Sequence, residues 1–301
     1  MEMISTSGLR KAYGKTTALD GLTFSVDEGE IYGIIGPDGA GKTTLFRILA
    51  TLLLADGGTA VVDGLDVKAG YRELRRRIGY MPGRFSLYQD LSVEENLRFF
   101  ASVFNTTVER NYGLVKDIYS QLEPFKARRA GKLSGGMKQK LALCCALIHA
   151  PRVLLLDEPT TGVDPVSRKE FWSMLLKLRD GYGITVLVST PYMDEASWCD
   201  RISLVQGGRL LRTDTPEGIR KAYSGRLYAV RSDDMRLLMN ALKECPEVET
   251  SFAFGDCFHV TLTGGAAPEA LRTSLAGHGC KHVEIKEAAP SVEDCFMSLM
   301  R

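Results

Sequence analysis

Nine consecutive residues restrict the fold of this chain more than any other segment. Residues 36–44 read Gly-Pro-Asp-Gly-Ala-Gly-Lys-Thr-Thr and satisfy the pattern Gly-x-x-x-x-Gly-Lys-[Ser/Thr]. An apolar run typical of a strand precedes them at 31–35, and a run typical of a helix follows at 44–50. A glycine loop between a strand and a helix N-terminus presents backbone N–H groups and a favourable dipole to phosphate. The sequence therefore predicts a nucleoside triphosphate site, and the alternative is a glycine-rich turn that fits the pattern by chance.

Each residue type in this loop has a chemical reason. Glycines let the backbone approach the phosphates closely, Lys42 would neutralise the β- and γ-phosphates, and the Thr43 hydroxyl would reach a Mg²⁺ ion. The expected nucleotide-binding positions of the loop are Gly36, Pro37, Asp38, Gly39, Ala40, Gly41, Lys42, Thr43 and Thr44.

Composition limits the partners and the compartment. The 301 residues suggest two domains, or one large domain with a small appendage. A net charge of +1 gives no support for nucleic-acid binding, which usually shows as a strong basic excess. Seven cysteines without a Cys-x-x-Cys pair are typical of reduced thiols in a cytosolic protein. We see neither a signal peptide nor an apolar stretch of about 18 residues, so any membrane contact is expected to be made through a partner.

The chain is expected to contain two domains. The pattern over residues 1–222 predicts an α/β core, and a mostly helical stretch at about 84–132 predicts a helical subdomain within it. Ser92-Val-Glu-Glu95 is typical of a capping box at the start of one of these helices. Residues 225–301 follow the order β-α-β-β-α-β, which is the ferredoxin-like α+β arrangement.

Three further motifs follow the phosphate loop in sequence order. Residues 133–139, Leu-Ser-Gly-Gly-Met-Lys-Gln, place a serine and two glycines at the start of a helix, which makes a second anion-binding N-terminus. Residues 153–159, Val-Leu-Leu-Leu-Asp-Glu-Pro, end an apolar strand in two adjacent carboxylates. Residues 161–165, Thr-Gly-Val-Asp-Pro, come directly after. Each motif is short, but their combination and spacing are very specific.

In this order the motifs resemble those of the ATP-binding-cassette superfamily, specifically the nucleotide-binding subunits of ABC transporters. The resemblance covers residues 1 to about 220. It implies an α/β P-loop NTPase cassette, a mixed sheet core with a helical subdomain, to which the small ferredoxin-like module is added. Residues 84–92 and the tail at 290–299, which begins Pro-Ser-Val-Glu-Asp-Cys-Phe, are similar to a bacterial exporter-type branch.

The resemblance implies roles for single residues. Tyr13 would stack on adenine, and a core or surface tyrosine is the alternative. Asp157 would hold Mg²⁺ together with Thr43. Glu158 would be the general base that orients and polarises the attacking water, with a capping carboxylate as the alternative. Asp164 would lie at the dimer seam.

The resemblance also implies two partners. In this family two cassettes dimerise head to tail, and the phosphate loop of one closes on the same ATP as the signature turn of the other. The signature residues of this chain would be Leu133, Ser134, Gly135, Gly136 and Gln139. An ordinary N-capped helix is the alternative for this turn, but it does not explain the companion motifs. The second partner would be a separate membrane permease subunit, which would place the chain in the cytoplasm at the inner face of the cell membrane.

Two positions depart from the family pattern, and the family uses both in catalysis. Where the family has Pro-Gln, this chain has Pro82-Gly83, and Gln89 lies six residues further on. Where the family has a histidine after Ser-Thr, this chain has Pro191, which offers neither a side-chain donor nor a backbone N–H. A milder change is Asp38, where asparagine is commoner.

These departures predict intact binding of ATP and Mg²⁺ with slow hydrolysis, since loss of one positioning donor can cost about 10²–10³ in rate. The expected function is the ATP-binding subunit of an ABC exporter, in a homodimer or a heterodimer. One hypothesis is that a partner cassette carries the complete catalytic residues. Two alternatives stay open: a regulatory nucleotide-binding cassette with negligible ATPase activity, and a non-transport cassette protein such as a translation-factor or DNA-repair ATPase. The sequence identifies neither the transported substrate nor the role of residues 225–301.

Overall fold

Fourteen strands and ten α-helices order residues 1–300, which the computed structural model describes. The strands are β1 (Glu2–Tyr13), β2 (Thr16–Asp27), β3 (Ile31–Ile35), β4 (Gly57–Val62), β5 (Leu65–Asp66), β6 (Ile78–Met81), β7 (Val153–Asp157), β8 (Thr185–Thr190), β9 (Arg201–Gln206), β10 (Arg209–Asp214), β11 (Leu227–Arg231), β12 (Val248–Phe254), β13 (Cys257–Leu262) and β14 (Glu284–Ala288). The helices are α1 (Lys42–Leu49), α2 (Tyr71–Leu74), α3 (Val93–Val103), α4 (Tyr112–Tyr119), α5 (Gly135–Leu147), α6 (Pro165–Tyr182), α7 (Pro216–Lys221), α8 (Met235–Glu244), α9 (Pro268–Gly277) and α10 (Val292–Leu299). Short 3₁₀ helices occupy Glu123–Phe125, Ala130–Lys132 and Met193–Trp198.

A six-stranded sheet in the order β10-β9-β3-β8-β7-β6 forms the centre of the first part of the chain. The strands from β9 to β6 are parallel, and β10 pairs antiparallel with β9 at the edge. Every residue of β3, β7 and β8 is buried, as expected for parallel strands that are covered on both faces. Their carboxyl ends meet at one edge of the sheet, where ligands bind in open α/β folds. Gly36, Asp157 and Thr190 lie at that edge.

A second, antiparallel sheet has the order β2-β1-β4-β5. Its side chains share one hydrophobic cluster with helix α1 and the six-stranded sheet, as Leu9, Phe46 and Leu155 illustrate. The rings of Phe24 and Tyr32 stack with their centroids 5.6 Å apart. Two sheets around one helix therefore give the mixed core that the family resemblance implies.

The mostly helical segment contains α3 and α4, both of which pack against α5. Helix α3 begins after Ser92, whose hydroxyl accepts a hydrogen bond from the Glu95 N–H at 3.2 Å. The Glu95 carboxylate accepts in turn from the Ser92 N–H at 2.8 Å. The predicted capping box is therefore confirmed.

The chain divides into two compact units after Pro216, a few residues before the boundary expected from the sequence. The second unit forms an antiparallel sheet in the order β12-β13-β11-β14, with α8 and α9 between its strands in sequence. The predicted β-α-β-β-α-β order of the ferredoxin-like module is confirmed. This unit has a hydrophobic core of its own, which includes Val230, Leu238, Val260 and Leu271.

Candidate functional site

The glycine loop follows β3, and two of its glycines are required by neighbouring backbone. A Cβ atom on Gly36 would lie 2.1 Å from the Val205 carbonyl oxygen, and one on Gly41 would lie 2.2 Å from that of Ala18. Gly41 also has φ +96°, a conformation that L side chains rarely adopt. Strands β9 and β2 therefore press against the loop, and only glycine fits at these positions.

The ammonium group of Lys42 lies inside the loop. Its side chain is 3% exposed, and Nζ donates to the carbonyl oxygens of Gly36 at 2.7 Å and Pro37 at 2.9 Å. The Glu158 Oε1 atom lies 3.1 Å from the same nitrogen. The structure therefore brings the loop lysine and the predicted general base into direct contact.

Asp157 ends β7 with a buried carboxylate. Its Oδ1 accepts from the Ser189 hydroxyl at 2.8 Å, and its side chain also bonds with that of Thr43. Burial raises the pKa of Asp157, while the hydroxyls of Ser189 and Thr43 lower it. A carboxylate held by hydroxyls beside Thr43 supplies the hard oxygen donors that Mg²⁺ prefers, so these residues fit the metal.

Glu158 has a constrained backbone. Its φ is +51°, in the left-handed region that glutamate seldom occupies. Its N–H donates to both the carbonyl oxygen and the hydroxyl of Ser189, at 3.1 and 3.0 Å. Ser189 at the end of β8 thus fixes both acidic residues, and the carboxylate of Glu158 stays 21% exposed at the mouth of the loop.

Gly83 and Gln89 take different places. A Cβ atom on Gly83 would lie 3.0 Å from the Asp157 carbonyl oxygen and 3.7 Å from the Glu158 Cβ, so position 83 borders the site without a side chain. Gln89 instead lies against Gly131, whose N–H donates to the Gln89 carbonyl oxygen at 2.8 Å.

Pro191 also stands beside the phosphate loop. It follows Thr190, whose carbonyl oxygen accepts from the Gly36 N–H at 3.3 Å. His149, the histidine of the first unit, bonds instead to the carbonyl oxygen of Ile78 at 2.9 Å. Ile78 opens the strand that leads towards Gly83, so the imidazole lies at its opposite end.

The signature turn and Asp164 form a second group at the starts of α5 and α6. The Ser134 hydroxyl accepts from the Met137 N–H at 3.3 Å, and the Asp164 carboxylate accepts from the Ser167 N–H at 3.0 Å. These bonds to Ser167 lower the pKa of Asp164. A Cβ atom on Gly136 would lie 2.8 Å from the Ser167 hydroxyl, so the two helix starts are in close contact.

The remaining predicted residues are exposed or peripheral. Tyr13 is 48% exposed at the end of β1, with the Lys11 ammonium 5.9 Å from its ring centroid. Asp38 is exposed at the tip of the phosphate loop. The side chain of Leu133 is buried and anchors the signature turn.

Sequence reasoning missed Ser189 as a site residue. Its role comes from contacts with residues on a neighbouring strand, which no local motif marks. The available signal was its position, directly after the apolar run at 186–188, near the carboxyl end of a parallel strand.

A family model described as ABC transporter matches residues 19–161. The chain is 37% identical over 306 residues to the daunorubicin resistance ATP-binding protein DrrA2 of Streptomyces coeruleorubidus, covering 98% of this chain and 94% of the relative. The chain belongs to the ABC transporter family. It is 33% identical to the Nod factor export ATP-binding protein I of Rhizobium sp., over 98% of this chain and 96% of that protein.

One relative of this ABC family member is considerably longer than the chain. The probable multidrug ABC transporter ATP-binding protein YbhF of Escherichia coli is 40% identical over 99% of this chain, which spans only 52% of that protein.

Solved structures of ABC cassettes share the fold. The structure of cbiO1 from Clostridium perfringens, part of the ABC transporter complex cbiONQ, is similar with a TM-score of 0.66 and 26% identity, over 73% of this chain and 91% of that one. The ATP-binding cassette MJ0796, a dimer in a post-hydrolysis state bound to ADP and Pi, is similar with a TM-score of 0.64 and 26% identity. The match covers 71% of this chain and 98% of that one. Within residues 1–300, no helix is long and apolar enough to cross a membrane.

Proposed function

We propose that this chain is the ATP-binding subunit of an ABC exporter. It binds and hydrolyses ATP at a head-to-tail dimer interface and drives transport through a separate membrane subunit, from the cytoplasmic side. The observation that carries the proposal is the contact of Lys42 with Glu158 at the mouth of a glycine loop, beside Asp157. Cation, base and metal-binding carboxylate are the parts that phosphoryl transfer to water requires.

Binding follows from the loop. A triphosphate that enters takes hydrogen bonds from the backbone N–H groups at the start of α1 and charge from Lys42. Lys42 then exchanges Glu158 for phosphate, and the Glu158 carboxylate becomes free to accept a proton from a water. A Mg²⁺ ion on Thr43 and Asp157 would supply Lewis-acid stabilisation of the phosphate oxygens.

The signature turn supports a dimer. Ser134 and the two glycines lie with Asp164 at the starts of α5 and α6, whereas the phosphate loop lies at the carboxyl end of β3. A second cassette, turned head to tail, would place its own signature turn over this loop. The dimeric state of the similar cassette MJ0796 favours this assembly.

An apolar groove supports docking of the membrane subunit. A cavity of about 370 Å³ lies beside β6, α3 and α5. Its lining includes Leu52 and Val103, whose side chains are 59% and 55% exposed. Exposed apolar side chains around a groove mark an interaction site. Arg75 and Arg84 line it as well, and within residues 1–300 no carboxylate does. A short apolar segment of the membrane subunit that carries acidic residues fits this groove.

Slow turnover is the finer part of the proposal. Gly83 and Pro191 border the site and provide no side-chain donor, so the attacking water depends on Glu158 alone among the expected positioning groups. The same two residues favour the second candidate, a regulatory cassette that binds ATP with negligible hydrolysis.

ATP affinity and ATP turnover, measured separately on the purified chain, test the proposal. We expect tight Mg-ATP binding with slow turnover, and Glu158→Gln should abolish turnover while keeping affinity, since the amide cannot accept the proton. Glu94→Gln, on the exposed face of α3, is the matched control and should change neither. Binding without any Glu158-dependent hydrolysis would favour the regulatory cassette, and absence of binding would refute both.

A further inference from the structure

Glu195 is a buried acidic residue that the proposed reaction does not use. Its side chain is 2% exposed, and its Oε2 accepts from the hydroxyls of Thr160 at 3.1 Å and Thr190 at 2.6 Å. The Arg168 Nε lies 3.5 Å from Oε1, which has no hydrogen-bond partner among residues 1–300. Burying a carboxylate costs free energy unless it is paired and hydrogen-bonded. The burial of Glu195 therefore suggests a role for its hydrogen bonds.

Both threonines belong to segments of the nucleotide site. Thr160 lies two residues after Glu158, and the Thr161 N–H donates to the Glu158 carbonyl oxygen at 3.3 Å. The carbonyl oxygen of Thr190 accepts from Gly36, the first residue of the phosphate loop. One carboxylate therefore joins the loop after the general base to the strand end that touches the phosphate loop.

The Thr190 hydroxyl, which Glu195 holds, also fixes the segment around Pro191. Pro191 has no N–H, and the next amide, that of Tyr192, donates to the Thr190 hydroxyl at 3.0 Å. Arg168 holds the other side, with its guanidinium 4.4 Å from the Tyr192 ring centroid and 2.8 Å from the Asp194 carboxylate.

Arg168 also connects this network to the second group of site residues. It lies in the first turn of α6, next to Ser167, which contacts Gly136 of the signature turn. The network thus reaches from Glu195 to the helix starts that would face the partner cassette.

We propose that Glu195 is a positioning residue, which holds the loop of Glu158 and the Thr190–Pro191 segment in one fixed alignment. This inference rests on the proposed ATPase function. It acts through the hydroxyls of Thr160 and Thr190. In a chain with proline at 191, this carboxylate maintains the alignment of the site.

Isosteric threonine variants test the proposal. Thr160→Val and Thr190→Val each remove one donor to Glu195 and keep the side-chain shape. We expect each to lower kcat about tenfold with the KM for ATP nearly unchanged, because small misplacements of the base act on the chemical step and not on binding. Thr213→Val is the matched control, since it removes a hydroxyl bond to Ser203 at 2.6 Å on β9.

Variants of Glu195 separate alignment from folding. Glu195→Gln keeps an oxygen that accepts from both threonines but loses the charge facing Arg168, whereas Glu195→Ala loses every contact. We expect the glutamine variant to recover most of the kcat that the alanine variant loses. Equal loss in both would contradict hydrogen-bonded alignment.

Hydrogen exchange gives a readout that does not need turnover. The amides of Glu158, Thr161 and Gly36 should exchange faster in Thr160→Val and Thr190→Val than in the wild-type chain and Thr213→Val. If wild-type turnover is absent, the proposed function fails and exchange alone decides the role of Glu195. Unchanged exchange and unchanged kcat in both variants, or an equal fall of kcat in Thr213→Val, would refute the positioning role.

Discussion

Pro191 stands in a backbone segment that hydrogen bonds already hold. The Thr190 carbonyl oxygen accepts from Gly36, and the Tyr192 N–H donates to the Thr190 hydroxyl. These bonds hold the backbone on both sides of Pro191. What this position lacks is a polar side chain beside the phosphate loop.

We expect Pro191→His to raise kcat about tenfold, because an imidazole at this position would supply a hydrogen-bond donor to the transition state that proline cannot provide. ATP turnover of the purified variant measures the effect. Pro191→Ala is the control, since it restores the backbone N–H without the imidazole and should stay near the wild-type rate. An equal rise in both variants would assign the effect to the backbone, and no rise would show that the missing histidine does not limit turnover.

The contiguous motifs could be read from the sequence because each residue acts with its neighbours along the chain. The glycine loop, the Asp157-Glu158 pair and the signature turn lie where the sequence placed them, on the expected strands and helices. Family resemblance supplied their roles. Elements with a strong local signal, such as the capping box at Ser92, were predictable in the same way.

Contacts between distant segments could not be read in this manner. Ser189 bonds to Asp157 across 32 residues, and Glu195 bonds to Thr160 across 35. These pairings depend on the order of strands in the sheet, which no single motif encodes. The network around Glu195 therefore became visible only in the folded chain.

Helix α10 explains the tail motif of the second unit. Asp294 accepts from the N–H and hydroxyl of Ser291 through one oxygen, and from the His259 ring at 2.8 Å through the other. Both side chains of the Asp294–His259 pair are buried. The aspartate of the Pro-Ser-Val-Glu-Asp tail thus completes the capping box with Ser291 and ties the helix to β13.

We expect Asp294→Ala to destabilise the second unit by about 3 kcal/mol, because it removes the N3 side chain of the capping box and leaves a buried imidazole without its partner. Denaturant unfolding followed by circular dichroism measures the change. Asp256→Ala is the matched control, since its pair with Arg231 is exposed on both sides and should matter little. Similar losses in the two variants would contradict the importance of the buried pair.

At the scale of the whole molecule, the two units have separate hydrophobic cores. All the predicted nucleotide-binding residues lie in the first unit, Met1–Pro216, and the ferredoxin-like unit follows it in sequence. A ligand stabilises only the unit that binds it, by an amount set by its concentration relative to Kd.

We therefore expect calorimetry to resolve two unfolding transitions, of which Mg-ATP shifts only one. At 100 times Kd the gain is about 2.7 kcal/mol for the nucleotide-binding unit. The Glu158→Gln variant keeps the nucleotide intact during the scan, and Lys42→Met serves as the control that should lose the shift. A single transition, or an equal shift of both, would show that the two units unfold as one.

The left-handed backbone conformation of Glu158 lowers the stability of the folded chain at a residue that the proposed reaction needs. A non-glycine residue at this φ costs on the order of 1–3 kcal/mol, a strain that glycine does not suffer. Glycine at 158 would therefore give a more stable folded chain that lacks the proposed general base. The proposed function therefore trades folding stability for activity at this one residue.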